Sequence, residues 1–355
     1  FANNGVYTRP RTYIEVRDNK GNLVLENKQE SWVAMKESTA YSINELLKGV
    51  VRSGTGTEAA FSGMTIAGKT GTTSSNYDRY FVGDNYVPSD SSKEKVAETA
   101  AEEFDPYLVE QVFNDVVDAL HREKNYSEEV AKKLLYTGGY QIYATIDPEL
   151  QSIVEKVYAD TSNLPYTSSK GEQLQSGMTV IDNATGNIVA MAGRVGEREG
   201  RFLFNYATAT RPCGSAIKPI AVYAPALDTG VITPATVLDD YPVRLQANEN
   251  GTEKAWPKNS YSGYKGLITL QTALRVSTNT TAVRVLEALS PSVSYDFMTQ
   301  NLGFTTLVNS DLNSAALGLG GLTYGVNTVE MAAAYSAFAN NGVYTRPRTY
   351  IEVRD

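Results

Sequence analysis

The chain has 355 residues, 42% of them hydrophobic and 20% charged, enough for one large domain or two smaller ones around a sizeable core. A formal net charge of −8 excludes a nucleic-acid partner held by phosphate neutralisation. Cys213 is the only cysteine and His121 the only histidine, which excludes intramolecular disulfides, thiolate clusters and multi-histidine metal sites.

In chain order, the first feature is a repeat. Phe1 to Asp18 reads FANNGVYTRPRTYIEVRD, and Phe338 to Asp355 reads the same, letter for letter. A solenoid repeat recurs several times and diverges. Two identical copies at the two ends fit a sequence circle opened with an overlap. Asn19 to Glu30 reads as a hairpin, with Lys20-Gly21 before the apolar Leu23, Val24 and Leu25. A helix is expected from near Ser38, with Ile43, Leu46, Leu47, Val50 and Val51 on one face and Gly54 as its stop. Strands near Met64–Thr72 and Asp78–Val82 flank a Ser/Asn turn, and Asp84 to Glu103 is a polar linker.

A strong amphipathic helix follows, with Asp105 as its cap, Pro106 in its first turn and Leu108, Val112, Val116, Val117 and Leu120 on its apolar face. His121 falls near the end of that helix, where a solvated histidine is expected and a catalytic one is not. Acyl-transfer or hydrolytic chemistry here must use another base. Asp147-Pro148 opens a further helix, and Ser176–Ile181 with Asn187–Met191 reads as a hairpin. The remainder reads as mainly helical, ending in an amphipathic segment from about Thr328 to Phe338. No apolar run reaches the roughly 18 residues that a membrane span needs. Pro219 to Val237 comes nearest and is interrupted by Asp228 and Gly230. No signal peptide opens the chain, so an anchor of the parent protein would lie outside it. Strands at both ends with helices between predict an α+β fold, an antiparallel β-sheet flanked by helices with an all-helical subdomain.

Three short motifs carry chemistry. In Arg211-Pro212-Cys213-Gly214-Ser215-Ala216-Ile217-Lys218-Pro219, a serine three residues before a lysine at a helix start puts both side chains on one face. The lysine can take the serine proton if burial or nearby cations lower its pKa, and the helix start offers N–H groups to an oxyanion. In Ser277-Thr278-Asn279, a hydroxyl can relay a proton, and an amide two residues on can bind a peptide carbonyl. Lys69-Thr70-Gly71-Thr72-Thr73 sits on a predicted strand whose edge can pair with an extended peptide. There Lys69 brings positive charge, Gly71 leaves room for a substrate to approach the backbone, and the Thr72 N–H can donate to an oxyanion. Each motif alone is common by chance; their joint occurrence in helix start, interhelical loop and strand decides the reading.

S-x-x-K, S-x-N and K-T-G are the set of the penicillin-recognising serine enzymes, with Thr278 where aspartate is usual. The surrounding segments Trp256-Pro257-Lys258-Asn259, Gly318 to Val343 and Ala67 to Gly83 closely resemble transpeptidase domains of class A penicillin-binding proteins. Gly138 to Pro148 resembles the strand leading into that domain. The resemblance implies a β-lactamase/D,D-peptidase-like fold and a D,D-transpeptidase or carboxypeptidase that cross-links peptidoglycan stem peptides and is acylated by β-lactam antibiotics. It implies Ser215 as acyl nucleophile, Lys218 as general base, Ser277 as proton shuttle and Asn279 as the group that positions the donor peptide. Lys69 completes the electrostatics, Thr70, Gly71 and Thr72 bind substrate, and the N–H groups of Ser215 and Thr72 form the oxyanion hole. No metal or organic cofactor is implied, and the parent protein would act, membrane-anchored, at the extracytoplasmic face of the bacterial cell membrane.

The family order is S-x-x-K, S-x-N, K-T-G, whereas Lys69 here precedes Ser215. Joining Phe338–Asp355 to Asn19 through the identical copy restores that order. Residues 1–83 then read as the C-terminal part of the transpeptidase domain, 84–103 as a linker, 104–175 as an entry region and 176–355 as the N-terminal and helical part. After Phe81-Val82-Gly83 the family continues into another strand, where this chain turns polar, so a core strand and terminal helix are expected to be missing. Acidic motifs of a class A glycosyltransferase domain are absent from the chain. Cys213, two residues before Ser215, reads as a packed thiol. The rival readings are a penicillin-binding sensor or catalytically inert domain, which needs the same Ser215 and Lys218, and a serine β-lactamase. The β-lactamase is disfavoured because no E-x-x-L-N segment follows Ser277 to supply a deacylating carboxylate.

Overall fold

The computed structural model describes residues 25–26, 29–72, 77–83, 106–168, 171–247 and 253–354. The first copy of the repeat, the tip of the Asn19–Glu30 hairpin, the Ser/Asn turn with Thr73, the 84–103 linker and Asp105 lie outside the described residues.

Ladders between strands are antiparallel throughout the described residues. Tyr350–Arg354 lies between Gln141–Ala144 and Leu25–Glu26 in a three-stranded sheet, and Val343–Thr345 pairs with Ser31–Val33. Both strands belong to the second copy of the repeat, so that copy is built into the fold. Ile66–Thr72 pairs in register with Tyr77–Gly83, and Met178–Ile181 with Ile188–Ala192, as the strand reading expects to within two residues. The α+β class holds, with short ladders distributed around a helical body.

The helix Glu37–Ser53 buries Ile43, Leu46, Leu47, Val50 and Val51, the face its 3.6-residue spacing predicts. Gly54 follows it for a packing reason: a Cβ there would stand 2.5 Å from the Arg275 carbonyl oxygen. The helix Tyr107–Lys124 has Pro106 at its cap position, one residue later than the expected Asp105. It packs Val112, Val116 and Leu120 against Tyr350 and Val353, a satellite core beneath the three-stranded sheet. The helix Pro148–Ala159 is capped as expected, with the Asp147 carboxylate accepting from the N–H groups of Glu149 and Leu150.

Three features differ from the sequence reading. A helix over Glu128–Thr137, capped by Ser127, was not expected. The segment between the first and second motifs holds two short ribbons, Val237–Asp240 with Gly266–Thr269 and Arg244–Ala247 with Glu253–Trp256, in place of helix. Strands of four residues give too little alternation for a period to be read. The helix Thr328–Ala339 is present but is not amphipathic: Met331, Ala333, Ala334, Tyr335, Ala337 and Phe338 are buried on all its sides. It runs through the main core, which it shares with Ile43 and Leu47 of the Glu37–Ser53 helix and with Ile217 and Ile220. Its Tyr335 hydroxyl donates to the Ala216 carbonyl at 2.8 Å and ties the S-x-x-K segment to the centre of the protein.

Candidate active site

Pro219 and Pro225 supply no backbone N–H, so the segment carrying the first motif cannot be a regular α-helix. It winds as a 3-10 turn over Gly214–Ile217, widens to a π-helical turn over Lys218–Tyr223 and becomes α-helical over Ala224–Asp228. In a 3-10 turn residues i and i+3 eclipse, so Ser215 and Lys218 lie on one face, as their spacing predicts. Ser215 is half-buried and Lys218 buried. The turn is entered through Gly214 at φ +54°, a left-handed conformation that glycine adopts without strain.

Two other backbones press on this turn. A Cβ on Gly320 would lie 2.1 Å from the Gly214 carbonyl oxygen, and a Cβ on Gly71 would lie 2.2 Å from that of Cys213. The sequence reading gives Gly71 to substrate approach, but the space its side chain would fill is already taken by the Ser215 turn. Its bareness lets the K-T-G strand reach that turn at all. Cys213 is fully buried, as a packed thiol would be.

The second motif joins the helices Leu270–Arg275 and Asn279–Leu289. Ser277 stands at φ +56°, a strained conformation for a serine, stabilised by its N–H donating to Leu274 O (3.1 Å) and that of Thr278 donating to Ala273 O (2.9 Å). Lys218 Nζ donates into this turn: to Asn279 Oδ1 (2.5 Å), Ser277 O (2.8 Å), Thr278 O (3.3 Å) and Ser277 Oγ (3.3 Å). From the other side, Lys69 Nζ donates to Ser277 Oγ at 2.8 Å and to Thr70 O at 2.7 Å. The Ser277 hydroxyl therefore sits between two buried lysine amines from elements far apart in the chain.

Burial makes the charged forms costly. It lowers the Lys69 pKa from 10.5 to about 7. Burial, with the like charge of Lys69 added, holds Lys218 well below the ordinary lysine value. A neutral Lys218, one turn from Ser215, has the chemistry to accept a proton, and the Ser277 hydroxyl between the amines can pass one on.

Lys69, Lys218, Ser277 and Asn279 are thus brought into one hydrogen-bonded cluster, with Ser215 one turn from Lys218. Thr70 directs its hydroxyl to Thr55 Oγ1 (2.7 Å), beyond the helix Glu37–Ser53. Thr72 ends the same strand, its backbone opposite Tyr77. His121 is exposed at the end of its helix, its Nδ1 2.6 Å from the Tyr126 carbonyl. Sequence reasoning gave no role to Gly320 or Asn259, yet Gly320 makes room for the Ser215 turn and Asn259 Oδ1 accepts the Asn279 N–H at 2.8 Å. The signals available were the Gly318–Val343 and Trp256–Asn259 segments, which stood out as wholes without any residue being singled out.

A family model described as the penicillin binding protein transpeptidase domain matches residues 1–99 and 177–355. Penicillin-binding protein 1A of Clostridium acetobutylicum is 36% identical over 255 residues, 69% of this chain and 31% of that protein. Penicillin-binding protein 1A of Clostridium perfringens (strain 13 / Type A) is 32% identical over 276 residues, 74% of this chain and 40% of that protein. The chain thus spans between about a third and two fifths of the length of these relatives. The crystal structure of penicillin-binding protein 1A from Haemophilus influenzae superposes with a TM-score of 0.54 at 20% identity, over 74% of this chain and 50% of that one, a likeness of fold.

Proposed function

This chain belongs to the penicillin-binding protein transpeptidase domain family, and from that premise we propose that it is a serine acyltransferase acting on peptidoglycan stem peptides. The observation that carries the reading is the Ser277 hydroxyl held between Lys69 and Lys218. Neutral Lys218 removes the Ser215 proton as Ser215 Oγ attacks the carbonyl between the two terminal D-alanines. The N–H groups of Ser215 and Thr72 stabilise the oxyanion. The C–N bond then breaks, the proton passes from Lys218 through Ser277 to the leaving amine, and D-alanine departs. An acceptor amine attacks the resulting ester, returns its proton by the same route and leaves the peptides cross-linked and Ser215 free. Asn279 and the Ile66–Thr72 strand hold the donor peptide, Lys69 completes the electrostatics, and Thr70 and Thr72 engage its carboxylate.

A β-lactam enters the same first step, but its amine stays tethered after ring opening, so the acyl-enzyme is long-lived. The test is peptide mass mapping after exposure to a fluorescent penicillin. A single adduct on Ser215, abolished in Ser215→Ala, is expected; an adduct on Cys213 or Ser277 would overturn the assignment. Rapid multiple-turnover hydrolysis of nitrocefin would move the protein to the β-lactamases. Acylation without turnover of a thioester donor would make it a sensor or an inert domain. The parent protein, on this reading, is membrane-anchored and acts at the extracytoplasmic face of the bacterial cell membrane.

The chain order is read as permuted, with residues 1–83 completing the domain that 176–355 begin, 84–103 linking them and 104–175 as the entry region. Strand register supports this. Val353 pairs with Leu25, and Val353 corresponds to Val16 of the first copy. Were Val16 opposite Leu25 in the family order, Lys20 and Gly21 would form a two-residue hairpin turn. One position in the sheet therefore suits either copy. Deleting 1–18 is expected to leave penicillin labelling intact, while deleting 338–355 lowers the yield of labelled protein several-fold. Equal loss from both deletions would sink the permuted reading.

A further inference from the structure

Behind the Ser277–Asn279 turn lies a buried carboxylate that belongs to none of the three motifs. Asp240 ends the strand Val237–Asp240 and is fully buried. Its oxygens are filled by neutral donors. Oδ1 accepts from Asn259 Nδ2 (2.8 Å) and Thr280 Oγ1 (2.7 Å), and Oδ2 from the Tyr261 hydroxyl (2.6 Å) and the Lys265 N–H (2.8 Å). That uses the four lone-pair directions a carboxylate offers. Burial pushes its pKa up, but the hydrogen bonds from Tyr261, Thr280, Asn259 and Lys265 outweigh it and hold the group ionised.

A carboxylate can only accept, and that fixes the sense of each bond around it. Asn259 must turn its NH2 towards Asp240, so its Oδ1 faces outward and accepts the N–H groups of Asn279 (2.8 Å) and Thr280 (3.4 Å). Tyr261 has given its one proton to Asp240, so its oxygen accepts from the Thr278 hydroxyl at 3.0 Å. Three consecutive residues, Thr278, Asn279 and Thr280, are therefore tied to Asp240 directly or through one side chain. Asn279 is held further by its Nδ2 donating to Lys258 O at 2.7 Å. The same turn receives Lys218, on Asn279 Oδ1 and the carbonyls of Ser277 and Thr278.

We propose that Asp240 is a positioning residue of the acyl-transfer site: through Asn259, Tyr261 and Thr280 it fixes the Thr278–Thr280 backbone and, with it, the Asn279 amide that accepts from Lys218 and holds its amine in place. The proposal rests on Lys218 acting as the base of Ser215. Asp240→Asn keeps the shape and removes the acceptor-only character. Its amide nitrogen must then face one pair of donors, and Asn259 loses the reason for its orientation. Displacing a catalytic group by a fraction of an ångström to an ångström costs about tenfold to a hundredfold in rate.

The experiment measures the acylation rate by a fluorescent penicillin, with the adduct located by peptide mass mapping, in Asp240→Asn, Asn279→Ala and the double variant. Asp240→Asn is expected to acylate at least tenfold more slowly with the adduct still on Ser215. The double variant is expected to be no slower than Asn279→Ala within about twofold, because both substitutions break one chain of contacts. Val116→Ala, in the satellite core, serves as a destabilised control and should acylate at the unaltered rate. If Asp240→Asn fails to fold, Tyr261→Phe removes one donor to Asp240 and the acceptor of Thr278, and should slow acylation about threefold, again without adding to Asn279→Ala. Acylation of Ser215 at the unaltered rate in these variants, or slowing that multiplies with Asn279→Ala, overturns the proposal. An adduct away from Ser215 overturns instead the reading of the site on which it rests.

Discussion

Around Ser277 the molecule buries two lysines together, whereas the helices Tyr107–Lys124 and Glu128–Thr137 leave much of their charge in water, as in the exposed pair Glu128–Lys132. Water screens the second arrangement, so its neighbours matter little. The first has no such screen, and each ammonium raises the cost of the other. The lesson is that the chemically useful charges are the ones the fold makes expensive: a lysine becomes a base only where water cannot keep it protonated.

The contrast is sharpest if the buried side is broken first. Lys218→Ala should slow acylation of Ser215 at least about a hundredfold, the usual worth of a positioned general base. A smaller loss, measured by stopped-flow labelling, would mean that burial at this position serves packing alone.

Lys69→Met tests the repulsion between the two amines. With the Lys69 charge gone, the Lys218 pKa should rise, so the acid limb of the acylation rate moves to higher pH. The same variant reports on stability. Lys69 has a pKa of about 7 in the folded protein against 10.5 for an ordinary lysine, so between these values the unfolded chain binds the extra proton. Folding stability should therefore rise with pH from about 7 towards 10.5 in the natural chain. The full penalty is present below that window and is relieved as pH climbs through it. Lys69→Met should lose this share of the pH dependence and melt higher at pH 7; an unchanged melting profile would show that Lys69 is not desolvated.

The smallest effects belong to the exposed side. His121→Ala should leave the acylation rate within twofold and stability within about 0.5 kcal/mol, as for a surface substitution outside any network. Glu128→Gln should likewise leave acylation unaltered. A large loss from His121→Ala would erase the distinction between the two regions.

What could be read in the sequence follows from the same physics. That Lys218, Ser277, Asn279 and Lys69 meet was legible because three short motifs, each with its own residue types and spacing, occur together in the chain. The helices Glu37–Ser53 and Tyr107–Lys124 were legible because each has one wet face, so its period survives in the residue pattern. Thr328–Ala339 kept its helical identity but not its sidedness, since burial all round leaves apolar residues at every phase. Asp240 was hidden for a different reason. Its partners Asn259, Tyr261, Lys265 and Thr280 come from loop, ribbon and helix, and only the fold brings them to one carboxylate. The close approach that requires Gly71 to be bare was hidden too, because the atom it would meet is the Cys213 carbonyl, remote along the chain.

The hydrogen bond between Lys69 and Ser277 joins residues 208 positions apart. Closing so long a loop costs chain entropy that only the assembled core can offset, and contacts of such range form late in folding. A molecule arrested with either half unfolded would carry Ser215 without the assembled pair of buried amines. Fluorescent penicillin is thus a gauge of completed folding: during refolding, label uptake should lag behind the return of helical signal and end at the fraction of chains whose distant segments have met.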